Sequence, residues 1–362
     1  MTAKVTFASA RPKELRAEAS LPALLERMLA GWKLEKRFKG KRVAIKMHLG
    51  GHLGYSTIHP LLVRKVVEAV RAAGGSPFLT DSPDAVANAV FRGYTPEVVG
   101  APLVATTGVN DKYIYPRKLG FRSLKNIGLA GTVIDADALL VLSHGKGHGH
   151  SGFGGAIKNL AMGCVDGPTR GGIHRLSSTA LLWDEKKCKG CMLCRDNCPN
   201  SAVLVKDGKI EIFDHHCKFC MHCQRVCPTE AITIDNSGFK DFQKGMALTT
   251  REVLKGFGPE KVFYITALLH ITPLCDCWGF TTPAIVPDIG IIAGDDLVAV
   301  ETAALDLIKA EDFIEGSLPA PFKRNTQGHL FQQIHGKDPY LQVRECEKIG
   351  LGSSTYRLAE QK

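Results

Sequence analysis

Eight cysteines between Cys188 and Cys227 carry the plainest chemistry in the chain. They fall in two runs, Cys188, Cys191, Cys194 and Cys198, then Cys217, Cys220, Cys223 and Cys227, each spaced C-x2-C-x2-C-x3-C-P. Every cysteine of the second run lies 29 residues after its counterpart in the first. Three thiolates at this spacing reach three corners of a [4Fe–4S] cube from one tight loop. The fourth, ahead of a proline, leaves that loop and ligates the other cluster. Crossed sets follow: Cys188, Cys191, Cys194 and Cys227 for one cluster, and Cys217, Cys220, Cys223 and Cys198 for the second. Zinc knuckles also use C-x2-C pairs, but a zinc site takes four ligands once and has no need of crossed repeats ending in Cys-Pro.

Four cysteines remain. Cys275 and Cys277 flank Asp276, and on an extended chain residues i and i+2 share a face. Two thiols presented together suit a soft metal, a further iron–sulfur centre or thiol redox chemistry. Cys164 ends the helical run after a glycine- and histidine-rich loop, so it is expected to join them. Cys346, in the tail, is read as structural. Histidines gather in two loops, His48, His52 and His59 in one and His144, His148 and His150 in the other, with His174 further on. His144, His148 and His174 are the expected proton donors near neutral pH, with Lys158 beside them. The amides of Gly152, Gly154 and Gly155, with Lys46 and His48, are expected to hold a small anion, because a glycine turn entering a helix presents N–H groups to it. The loop is neither a P-loop nor a dinucleotide fingerprint. His215 and His216, next to Cys217, read as linker residues.

These groups need positioning elements, and the apolar pattern supplies them. Short strands are expected at residues 4–9, 42–48, 77–80, 102–106, 138–143, 261–266 and 287–294. Helices are expected near 21–31, from Pro60, over 156–162 and after Asp295-Asp296. Strand–helix alternation predicts an α/β fold, a mostly parallel sheet sandwich, with an inserted α+β ferredoxin-like domain. Its hairpin turns at Asp207-Gly208. The expected division is an α/β body over 1–182 and 238–316, the ferredoxin-type domain over 183–237, and a tail over 317–362. Both glycine–histidine loops follow strands and so can meet at the carboxyl edge of the sheet.

At 362 residues, 44% hydrophobic and 23% charged, the chain is long and apolar enough for a substantial core. The start lacks the apolar run of a signal peptide, and no stretch of about 18 apolar residues suggests a membrane span. A reducing cytoplasm is the expected setting. The net charge of +10 could attract an acidic protein or a small anion. The basic run Lys33–Arg42 is broken by Glu35 and Phe38 and accompanies no nucleic-acid motif, so it reads as solvated surface.

Several runs together resemble a known family. They are KMHLGG from Lys46, PFLTDS from Pro77, SHGKGH from Ser143, GFGGAIKNLAMGC ending at Cys164, Cys275-Asp276-Cys277, and PAIVPDIGIIAGDD from Pro283. The chain is identified as a member of the iron–sulfur-centre family called domain of unknown function number 362, in the form with an internal ferredoxin module. The resemblance covers most of residues 40–310. It implies an α/β body with a ferredoxin insert and shared motifs lining one site. The chain departs from the family at the first loop, where His48-Leu-Gly-Gly51 replaces a pattern carrying an acidic residue, and at the stretch after Cys164.

The reading that follows is an oxidoreductase in which two [4Fe–4S] clusters take electrons from a redox partner protein. They would pass them to a Cys/His site acting on a small anion, with a further metal or cluster at Cys275 and Cys277. Two alternatives are an electron carrier without a substrate and a metallocofactor assembly protein.

Overall fold

The computed structural model describes residues 2–177, 181–213, 217, 221–235, 237–320 and 322–361. Its main sheet has eight strands, the only ones numbered here: β1 (Ala3–Ser9), β2 (Arg42–Lys46), β3 (Ser76–Asp81), β4 (Leu103–Ala105), β5 (Ala138–His144), β6 (Val262–Leu268), β7 (Gly290–Gly294) and β8 (Tyr356–Glu360). They lie in the order β8-β1-β7-β6-β5-β2-β3-β4. Every neighbouring pair is parallel except the two made by β7, with β1 and with β6. The fold is therefore α/β around a large, mostly parallel sheet.

Six helices matter to the site: α1 (Leu21–Ala30), α2 (Pro60–Ala72), α3 (Ala156–Gly163), α4 (Gly167–Arg175), α5 (Ser237–Leu254) and α6 (Leu297–Leu307). In α2 the buried residues Leu62, Val63, Val66, Val67 and Val70 recur at helical spacing and form one apolar stripe. Pro60 starts that helix where no N–H is needed, and the His59 ring accepts from the Leu61 amide. The central strands are covered on both faces, so they read as continuous apolar runs rather than alternating ones. Their successive residues do divide between two cores. Leu140 and Leu142 pack with α1 and α2, whereas Leu139 and Val141 pack with α3, α5 and α6.

The stretch 317–362, read as a tail, completes the sheet: β8 pairs in parallel with β1. Cys346 is wholly buried in the core beside α6. The basic run Lys33–Arg42 is partly structural, since Phe38 is buried and Arg37 bonds Asp295 at 2.6 Å.

Between α4 and α5 lies the cysteine-rich segment. It holds the antiparallel pair Leu181–Trp183 with Ile232–Ile234 and the hairpin Val203–Lys206 with Lys209–Ile212. Asp207 and Gly208 both take positive φ, 51° and 75°, as a tight two-residue hairpin turn requires.

One buried carboxylate joins two helices. Glu301 of α6 is fully buried and accepts from the Ala156 and Ile157 amides at the start of α3, at 2.6 and 3.3 Å. Burial outweighs these two bonds and raises its pKa to about 7. The folded state thus binds the proton more tightly than the unfolded one. The protonated carboxyl favours folding fully below the unfolded pKa of about 4.5, and that advantage is lost as pH rises through about 7. Replacing Glu301 by Gln should remove a pH-dependent fall of roughly 3 kcal/mol between pH 5 and 8, read from urea unfolding of both proteins. An equal pH slope in the two would refute the assignment.

Candidate functional site

The strand order reverses between β2 and β5: from β2 the chain runs outward to β3 and β4, then returns to lay β5 on the other flank of β2. In open α/β sheets this is where ligands bind, beyond the carboxyl ends of the strands. The segments after β2, β3, β5 and β6 line a cavity of about 220 Å³ at that point.

Two buried aspartates set the cavity wall. Asp81 ends β3, and its Oδ1 receives Lys46 Nζ at 3.0 Å. Its Oδ2 takes His48 Nδ1 at 2.8 Å and the Leu49 amide at 2.9 Å. Burial raises the Asp81 pKa, but the charges of Lys46 and His48 outweigh it and hold the carboxyl well below the usual range. Asp276, between the two cysteines, receives Lys146 Nζ at 2.7 Å and His144 Nδ1 at 2.9 Å. The result is the same: burial opposes ionisation, and His144 with Lys146 enforces it. Lys146 also donates to Ser56 Oγ at 2.7 Å and to the Ser56 carbonyl at 3.1 Å, which ties in the loop after β2.

Close backbone approach lets these loops converge. A Cβ on Gly51 would stand 2.3 Å from Gly279 Cα, and one on Gly147 would stand 2.3 Å from the Pro273 carbonyl oxygen. Only glycine fits at either place. The stretch around the second glycine, expected to be a glycine-rich turn leading into a helix, contains a small hairpin of Lys146–His148 with Gly152–Gly154. Asn159 on α3 pins its own helix to the sheet: its Nδ2 donates to the Lys46 and Leu142 carbonyls, both at 3.1 Å, and its Oδ1 accepts from Lys46 at 2.8 Å.

Among the expected site residues, Lys46, His48, His144, His148 and His174 all line the cavity. So do Gly154, Gly155, Lys158, Cys275 and Cys277. Their geometry redistributes the roles. Each ring nitrogen of His144 faces an acceptor, Asp276 or the Leu269 carbonyl at 2.6 Å, and burial lowers its basicity. His144 is thus a positioning residue rather than a proton donor to substrate. Lys46 is only 1% exposed and its three protons meet Asp81, Asn159 and the Met47 carbonyl, so its charge is neutralised inside the wall. His48, by contrast, points Nδ1 at Asp81, and its Nε2 has no hydrogen-bond partner among the described residues. His174 Nδ1 lies 3.3 Å from His150 Nε2 in a group of rings packed on Phe242.

Two expectations are corrected. Gly152 does not line the cavity, and the first amides of α3 are capped by Glu301, so Gly154 and Gly155 alone remain for an anion. Cys164 does not join Cys275 and Cys277. It sits at the far end of α3, fully buried, with its thiol pushed up to about 12 by burial, and is an apolar core residue. His148 takes its place: one ring nitrogen and the Sγ atoms of Cys275 and Cys277 all lie within 4.8 Å of one another. The two cysteines stand in a short 3-10 turn, not an extended strand, and their sulfurs are bonded to each other. Lys158 Nζ is 3.7 Å from Cys275 Sγ. Asp81, Asn159 and Asp276 escaped the sequence reading as site residues, although each stands in a run quoted above for the family resemblance.

In the cysteine-rich segment Cys188, Cys191, Cys194 and Cys227 line one cavity, walled also by Val205, Ile210 and Ile232. Cys198 packs against Cys217, and Cys223 packs near Cys194. Cys220, His215 and His216 lie outside the described residues. The two halves share local geometry. Met192 and Met221 both take positive φ ahead of a short helix, and the amides of Ala202 and Ala231 donate to Cys198 Sγ and Cys227 Sγ at 3.1 and 3.2 Å.

Removing one partner of a buried ion pair strands the other. Asp276→Asn should therefore cost about 3–5 kcal/mol in denaturant unfolding, and adding Lys146→Met should return most of that loss. A double variant as unstable as the single one would show that Lys146 is not what Asp276 neutralises.

Relatives place the chain among known proteins. The thylakoid-associated protein sll1697 of Synechocystis sp. is 32% identical over 164 residues, 43% of this chain and 48% of that protein. The chain thus spans about half the length of the curated relative it matches. Two solved structures are similar at lower identity. The lactate racemase apoprotein from Thermoanaerobacterium thermosaccharolyticum is 10% identical with a TM-score of 0.32, over 74% of this chain and 51% of that one. A Thermotoga maritima protein is 11% identical with a TM-score of 0.37, over 70% and 52%. The pattern of the family described as Domain of unknown function (DUF362) matches residues 43–306, which contain every cavity residue named above, and the chain belongs to that family.

Proposed function

We propose that the protein is an iron–sulfur oxidoreductase, with the cysteine-rich segment delivering electrons to the cavity at the β2–β5 switch point. The observation that carries this reading is a continuous contact between the two. The His222 ring, one residue before Cys223, meets Phe322 edge-on at 5.5 Å, and the Arg225 guanidinium lies over the same ring at 4.6 Å. Phe322 meets His335 at 5.8 Å. His335 is buried, and burial lowers its pKa to about 3, so the neutral ring donates from Nε2 to the Pro273 carbonyl at 2.7 Å. Pro273 stands two residues before Cys275.

The segment suits two [4Fe–4S] clusters. Four of its cysteines, Cys188, Cys191, Cys194 and Cys227, surround one cavity, and amide N–H groups already point at Cys198 and Cys227 sulfur. Clusters in this segment would supply single electrons from a partner redox protein. The chain's own residues do the rest. Asp276, held by Lys146 and His144, fixes the Cys275–Cys277 turn. Lys158 and Arg170 line the cavity and give it affinity for a small anionic substrate. His48, oriented by Asp81 with Nε2 unpartnered, is the group best placed to exchange a proton there.

Metal analysis tests the electron-supply half of this reading. Anaerobically purified protein should carry about eight iron atoms and as much acid-labile sulfide per chain, and a Cys191→Ser variant should lose up to half of both. Zinc in place of iron, with no sulfide, would refute it.

A further inference from the structure

We infer that His148, Cys275 and Cys277 form a metal site that exists only when the Cys275–Cys277 bond is reduced, so that one pair of sulfurs serves as an electron acceptor and then as a ligand pair for a borderline-soft divalent cation such as zinc. The inference deepens the function proposed above, naming what happens at the same cavity once electrons arrive.

One ring nitrogen of His148 lies within 4.8 Å of both sulfurs, and once the sulfur–sulfur bond is broken the two sulfurs can part to the spacing of about 3.5–4 Å that a tetrahedral ion imposes between ligands. The set is two sulfurs and one imidazole, a combination that favours zinc-like ions over oxygen-seeking magnesium or calcium. His148 is buried beside the two sulfurs and lines the same cavity, and a histidine ligates an ion as a neutral ring. The amides of His150 and Ser151 both donate to His148 Nδ1 at 3.3 Å, so in the oxidised form Nδ1 accepts and the ring proton sits on Nε2. When an ion takes Nε2 that proton moves to Nδ1, where the Ser151 hydroxyl oxygen, 3.0 Å away and donating its own proton to the Phe153 carbonyl at 2.7 Å, accepts it. Three protein ligands leave a fourth position open, as in catalytic rather than structural sites. All three residues line the 220 Å³ cavity, so a small molecule can take that position.

Two electrons and two protons break the sulfur–sulfur bond and leave two thiols. The electrons come one at a time from a low-potential one-electron donor, in the proposed function the iron–sulfur segment. An arriving divalent ion then displaces the two thiol protons. Lys158, 3.7 Å from Cys275 Sγ, favours the thiolate of that residue first. While the sulfurs remain bonded to each other, two of the three ligands are withdrawn.

The test uses the full chain with its native iron content, one portion reduced with a phosphine and freed of it, the other left oxidised. Each is titrated anaerobically with Co(II), whose visible bands report thiolate ligation, and its thiols are counted by alkylation and mass spectrometry. Reduction should expose two more alkylatable thiols, at Cys275 and Cys277, and create one cobalt site per chain that the oxidised portion lacks. Cys275→Ser should abolish that site. His148→Gln, which keeps the dithiol, should weaken it by more than about tenfold, the size that losing even an outer-shell partner produces. Cobalt binding to the oxidised protein, or a dithiol form that binds none, would overturn the inference, and both readings come from the unaltered chain. A preparation devoid of iron and sulfide that still gains the cobalt site on reduction would uphold it while refuting the proposed electron supply.

Discussion

Asp276, with the Lys146 ammonium and the His144 ring, holds the cavity together. A carboxylate with no access to water is tolerable only when opposite charge meets it at hydrogen-bond distance; Lys146 supplies that charge from the loop after β5, and the His144 ring bonds the second oxygen from the end of the strand. That pairing fixes the segment after β6 against the segment after β5, while the same ammonium group draws in Ser56 from the loop after β2. Three chain segments far apart in sequence thus share one buried charge. Asp81 repeats the device one strand over, with Lys46 and His48. Acid and base residues on this wall thus meet in pairs, beside the Cys275–Cys277 sulfurs and the His148 ring.

The fold was largely legible in the chain. Continuous apolar runs such as ALLVLS and KVFYIT are strands because both faces of the sheet are covered, and glycine-rich turns follow β2 and β5 where the carboxyl edge lies. The convergence of both histidine loops was legible too, because loops at one edge of a parallel sheet must meet. The functions of individual residues were less so. His144 and His148 stand four residues apart in one loop, yet one is locked between two acceptors and the other faces sulfur. That difference depends on what the segment after β6 brings opposite them. Spacing within the loop holds no trace of it.

Cys164 shows the opposite failure. Its place at the end of a helix that starts beside the cavity suggested convergence with Cys275. But Lys158, Asn159, Met162 and Gly163 form the face that α3 turns to the cavity, whereas Cys164, one residue beyond the helix, is buried in apolar core. Glu301 was equally hidden: nothing in a long apolar helix marks one glutamate as the cap of another helix more than a hundred residues earlier. Its presence moves any anion in the cavity toward Lys158 and the Gly154–Gly155 backbone, away from the helix start.

The edge of the sheet has a further consequence, for assembly. The N-terminal strand β1 pairs only with β7 and β8, the last two strands of the sheet to be synthesised. Contacts of such long sequence separation form late, because loop closure must precede them. The cysteine-rich segment is different: its pairings span at most the stretch from Leu181 to Ile234. During synthesis that segment emerges complete while β1 still waits for its partners. The local pairings of that segment can then form ahead of closure of the body, and a chain halted at that stage would present an unpaired N-terminal strand to its surroundings.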